Sequence, residues 1–159
     1  MITYLKGDAT APKGHGPRVI AHICNDIGAW GAGFVLALSR RWPEPEEQYR
    51  HWSRNRHNYE GPPGPFVLGG VQLVRVEPAI WVANMIAQEG IRRADNTAPL
   101  RYDALRTCLW RLSSSLKYMV APTLHMPRIG CGLGGGRWEM VEPLLTEMLG
   151  ETPIFVYDL

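Results

Sequence analysis

Two distant stretches of the chain share one construction: an apolar run that reads as a buried strand, a glycine-dense turn, then a helical pattern. The first is Cys24-Asn25-Asp26-Ile27-Gly28-Ala29-Trp30-Gly31-Ala32-Gly33-Phe34, and the second is Pro127-Arg128-Ile129-Gly130-Cys131-Gly132-Leu133-Gly134-Gly135-Gly136. Strand-to-helix junctions of this kind need a sheet whose strands are separated by helices. They restrict the chain to an α/β architecture with a largely parallel sheet and helices on both faces. Ligands bind such sheets beyond the carboxyl ends of the strands. Glycines there let backbone N–H groups point into one concavity and let a bulky anion come close, with a helix N-terminus adding positive potential. A single short glycine motif more often makes only a tight turn; two of matching type favour a diphosphate site.

The rest of the chain supplies the other elements. Ile2–Leu5, Arg18–Ile23, Val71–Val76, Ile80–Ala87, Thr123–Met126 and Ile154–Tyr157 read as strands. Phe66–Leu68 and Val71–Val76 flank Gly69-Gly70, which predicts a two-residue hairpin there and makes the sheet mixed. Helices are predicted from Phe34 to the stop at Pro43, from Pro45 to about His57, over Tyr102–Tyr118 and over Trp138–Leu149. Residues 59–65 and 88–100 read as loops. No repeat divides the 159 residues, so one domain spanning 1–159 is expected.

A net charge of +2 does not argue for nucleic acid. Three cysteines without a CxxC pair, and no leader sequence, point to a reduced cytoplasmic protein. No apolar run approaches the roughly 20 residues that span a bilayer. The histidines lack metal-ligand spacing, so neither metal nor cofactor is expected, and a domain of this size can stand alone as a monomer. The arginine–aromatic run from Arg40 to His57 reads as an amphipathic helix with Tyr49 and Trp52 inward, ahead of a nucleic-acid grip.

Neither glycine loop is a Walker motif, because no GK[ST] follows. The second matches GxGxxG as a pattern, but the chain after it is too short for a dinucleotide fold.

Gly7-Asp8-Ala9-Thr10, the Asn25–Phe34 loop and Met126-Pro127-Arg128-Ile129-Gly130-Cys131-Gly132 before a Trp-Glu helix together resemble macrodomains, the Appr-1''-p processing family. The match is nearest the branch of terminal ADP-ribose protein glycohydrolase and its bacterial relatives. The resemblance implies a three-layer α/β/α sandwich around a mixed sheet. It also implies a site for ADP-ribose, with ADP-ribosylated protein, or nucleic acid, as the modified partner. Asp8 would accept from the adenine amino group, with Ala9 beside it and Tyr157 stacking nearby. Gly31, Ala32, Gly33, Phe34, Gly130, Cys131, Gly132, Leu133 and Gly134 would wrap the diphosphate and distal ribose. Asn25 would face that ribose, and Gln88 would stand near it.

The same family pattern has a lysine in the region matching Ala87-Gln88 and an aspartate matching Gly134. Their absence here speaks against a covalent lysine mechanism. Asn25, Asp26 and the substrate's own phosphate are then the candidates for positioning water. The bland readings stand beside these: Asp8 and Asp26 as turn-stabilising residues, Cys131 as a small apolar wall rather than a nucleophile, and His22 and His125 as core histidines. Trp30, on a loop, is expected to be exposed and to cover the ribose as a lid. Three functions remain open: an ADP-ribosyl hydrolase, a non-catalytic ADP-ribose reader, and an ADP-ribose 1''-phosphate phosphatase.

Overall fold

The computed structural model describes residues 1–91 and 98–159, so the middle of the loop expected over 88–100 lies outside the described residues. The elements run β1 (Ile2–Lys6), β2 (Arg18–Asn25), α1 (Phe34–Arg41), α2 (Glu44–Arg54), β3 (Val71–Glu77), β4 (Ile80–Gln88), α3 (Tyr102–Leu116), β5 (Thr123–Met126), α4 (Trp138–Leu149) and β6 (Ile154–Asp158). Six strands form one sheet in the order β1-β6-β5-β2-β4-β3. Among the pairs of named strands in the described residues, only β3–β4 is antiparallel.

Side chains alternate across the sheet because strand residues point to opposite faces in turn. Val19 and Ala21 of β2, with Ala83 and Met85 of β4, pack under α3 and α4. Ile20 and Cys24, with Val82 and Ile86, pack under α1 and α2. The result is three layers, α/β/α. The α3 stripe of Leu105, Leu109, Leu112 and Leu116 is buried as its spacing predicts. So are Tyr49 and Trp52 of α2, as expected, but the arginine–aromatic run is divided between the end of α1 and α2, which stops at Arg54 rather than near His57. No helix among the described residues is long and apolar enough to cross a membrane.

One expectation is corrected. The hairpin turn lies at Pro78-Ala79 between β3 and β4, not at Gly69-Gly70, and Phe66–Leu68 is not a strand. Phe66 is drawn into the core instead, its ring 5.1 Å from that of Trp52 and 5.6 Å from that of Tyr49. Burial of a ring outweighs the extended pairing that a glycine pair invites.

Candidate functional site

β5 and β2 are parallel neighbours, yet the chain leaves them toward opposite faces, β2 into α1 and β5 into α4. Adjacent strands whose connections diverge leave a crevice between them. Here that crevice is a cleft of about 730 Å³, within the range of small-molecule sites. Asn25, Trp30, Gly31, Ala32, Gly33 and Phe34 line one side, and Gly130, Gly132, Leu133 and Gly134 the other. Gln88 closes it from the end of β4, beside Ile91, and His22, Ile23 and Cys24 line its β2 side. The two loops meet: a β-carbon on Gly33 would lie 3.2 Å from Leu133 Cδ1, and Gly33 has φ +80°, which side chains disfavour.

Asn25 organises the first loop. Its Oδ1 accepts from the N–H groups of Ile27 (3.1 Å) and Ala29 (3.0 Å), its Nδ2 donates to Ala29 O (2.8 Å), and the Tyr49 hydroxyl stands 2.7 Å from its main-chain oxygen and 2.9 Å from Oδ1. This is the local side-chain-to-backbone bonding that Asn favours at turns. α1 starts at Phe34 with no capping side chain and no acid in its first turn, and Phe34 and Val35 line the cleft. An uncapped first turn presents N–H groups and positive potential to an anion. α4 differs from expectation, since none of its residues lines the cleft. The second loop therefore contributes its own backbone but no helix terminus.

That second loop is folded tightly on itself. Gly136 N–H donates to Gly130 O at 2.7 Å and Gly135 N–H to Gly132 O at 3.0 Å. A β-carbon at Gly134 would stand 2.8 Å from Gly130 O and 3.2 Å from Gln88 Oε1. The loop as folded therefore leaves no room for a side chain at this place.

Electrostatically the cleft is quiet. Among the described residues no lysine or carboxylate lines it. The Arg128 guanidinium turns to Asp158, with bonds of 2.8 and 3.0 Å, and lies over the rings of Tyr4 and Trp138. His22 Nε2 is 2.5 Å from Asn84 Oδ1, and Asn84 Nδ2 donates in turn to Gln72 Oε1 at 3.0 Å. Burial lowers the His22 pKa from 6.5 to about 4, so the ring is neutral and satisfied.

Several anticipated residues stand elsewhere. Trp30 is corrected: it is 4% exposed, donates to Ser39 Oγ at 2.9 Å and packs on Tyr49, a wall of the cleft rather than a lid. Asp26 does not line the cleft; its Oδ1 accepts from Gly90 N–H at 2.7 Å and fastens the chain just past Gln88. Cys131 turns its thiol back to Ile129 O (3.4 Å), and burial raises its pKa, the opposite of what a nucleophile needs. Asp8 Oδ1 accepts from both Thr10 N–H and Thr10 Oγ1 at 2.8 Å, while Ala9 and Tyr157 are buried near the start of the β1–β2 connection. Ile91, Pro127 and His22 are among the cleft residues that the sequence does not point to. Only the alternation along β2 could have signalled His22, and nothing local signals Ile91.

No protein-family model matches the chain. A solved macrodomain protein from Streptomyces coelicolor is 48% identical, with a TM-score of 0.85 over 100% of this chain and 99% of its own. A protein of unknown function from Bacteroides thetaiotaomicron is 49% identical, with a TM-score of 0.91 over 100% and 98%. An ADP-ribose 1''-phosphate phosphatase from Meyerozyma guilliermondii is 25% identical over 165 residues, 91% of each chain.

Proposed function

The chain belongs to the macrodomain family, and from that premise we propose that its cleft binds ADP-ribose and that the protein releases ADP-ribose from modified macromolecules. One observation carries the reading: two glycine loops and the uncapped first turn of α1 converge on a cleft among whose described lining residues there is no lysine. A pyrophosphate fits there because backbone N–H groups can satisfy its oxygens without a basic side chain. Gly31 to Phe34 and Gly130 to Gly134 take the diphosphate and distal ribose, Gln88 borders the ribose, and Asp8 and Ala9 stand for the adenine end. Asn25 uses one amide hydrogen on Ala29 O, which leaves the other for a ribose hydroxyl or the attacking water.

In the hydrolysis, water adds to C1'' of the ribose as the bond to the modified group breaks and that group takes up a proton. Fixed dipoles around the diphosphate orient the ribose for this step. Asp26 acts at one remove, by holding the Gly90 turn beside Gln88. ADP-ribosylated protein is the partner of choice, in a cytoplasmic, monomeric protein.

A second reading, a binding module without turnover, is favoured by the lack of an unengaged acid or base among the described lining residues. The phosphatase relative keeps ADP-ribose 1''-phosphate as a third substrate. Calorimetry with ADP-ribose, followed by release assays on glutamate-, serine- and thymidine-linked ADP-ribose and on the 1''-phosphate, separates the three. Tight binding with no release from any of them leaves the reader alone; no binding removes the proposal altogether.

A further inference from the structure

Three buried or half-buried side chains stand in line beneath the β1–β2 connection, outside the cleft. Thr123 Oγ1 is 2.8 Å from His125 Nε2, His125 Nδ1 is 2.8 Å from the Tyr157 hydroxyl, and Lys13 N–H donates to that hydroxyl at 3.0 Å. His125 is wholly buried and Tyr157 is 4% exposed. Satisfaction of buried groups fixes the protons. Lys13 N–H already occupies an acceptor site of the Tyr157 oxygen, so the phenolic hydrogen needs an acceptor, and among the described residues His125 Nδ1 supplies it. Nδ1 is then bare, and Nε2 carries the hydrogen that goes to Thr123. The opposite tautomer would strand a buried hydroxyl hydrogen.

The connection held in this way is the one that carries Asp8. Gly7 N–H bonds Asp158 O at 2.8 Å at one end of it, and Asp8 closes on Thr10. Arg18 reaches Pro12 O (3.1 Å) and Gly16 O (3.2 Å) from below. Lys13 itself is exposed and is tied down through its backbone to Tyr157.

We propose that the Thr123–His125–Tyr157 column is a positioning device for the nucleobase end of the site: by fixing the Lys13 amide it sets where Asp8 and Ala9 stand, and so sets selectivity for adenine. The proposal rests on the ADP-ribose reading of the cleft.

The test is calorimetry of the intact chain with ADP-ribose and with its hypoxanthine analogue, in which a carbonyl replaces the 6-amino group. Wild type should prefer ADP-ribose. Tyr157→Phe, which deletes one oxygen, should weaken ADP-ribose by about fivefold, the worth of one hydrogen bond, leave the analogue nearly unchanged, and speed amide exchange at Lys13. His125→Leu should behave alike, and His125→Gln, whose amide oxygen can accept the phenolic hydrogen, should recover most of the loss. Equal losses for both nucleotides, unaltered exchange at Lys13, or a wild type that binds both nucleotides alike would overturn the column's role while leaving the cleft reading intact. A wild type that binds neither would overturn both.

Discussion

At the scale of single residues, Asn25 and Gly134 carry different loads. Asn25 satisfies two backbone N–H groups through its side-chain oxygen, so Asn25→Ala strands both at once, whereas the Tyr49 hydroxyl keeps the Asn25 main-chain oxygen at 2.7 Å. Each stranded group costs roughly 1–3 kcal/mol. The variant should lower the denaturation midpoint and weaken ADP-ribose by more than about tenfold, as read by urea titration and calorimetry. Gly134 answers to space rather than to hydrogen bonds. Gly134→Ala forces the β-carbon onto Gly130 O and must shift the loop. Gly134→Asp, although it restores the residue type of the glycohydrolase pattern, should also lose binding. Retained affinity in either variant would show that the second loop does not hold the ligand.

At the scale of elements, the two central strands each bury a neutral histidine, His22 on β2 and His125 on β5. Burial lowers both pKa values from 6.5 to about 4. The folded pKa therefore lies below the unfolded one, and the unfolded chain binds more protons between those limits. Stability is complete above about pH 6.5 and falls as the pH drops toward 4, with a slope approaching two protons. Most carboxylates titrate lower, so urea midpoints taken between about pH 5 and 6.5 isolate the imidazoles. His22→Gln should remove about half of that slope, and a flat profile in wild type would mean that the rings are hydrated. The same scale explains the misplaced hairpin. A glycine pair between two apolar runs is a local signal, but Phe66 is claimed by an aromatic cluster built from α2, and no local pattern contains that competition.

For the whole molecule, the charge balance around the cleft yields a prediction of its own. The diphosphate is assigned to backbone N–H groups, and Arg128, which lines the cleft, is paired with Asp158. Screening acts most on exposed side-chain charges. ADP-ribose affinity should therefore change by less than about threefold between roughly 0.05 and 0.5 M sodium chloride, measured by calorimetry at fixed pH. A loss of tenfold or more would assign the phosphates to lysine or arginine side chains instead.

The sequence by itself determined the layer order, most of the elements and the two loops that form the cleft, because helix and strand periods and glycine-dense junctions are written in neighbouring residues. Resemblance alone set Gln88 and Gly134 against a lysine and an aspartate of the glycohydrolase pattern. Only the tertiary structure decided how those residues are used. Trp30 became a wall because Ser39 and Tyr49 meet it, and Asn25 and Asp26 became loop fasteners because Ala29, Tyr49 and Gly90 come within bonding distance. The physical reason is range: backbone preference acts over a few residues, whereas the partner that satisfies a polar side chain is chosen by which strands lie side by side.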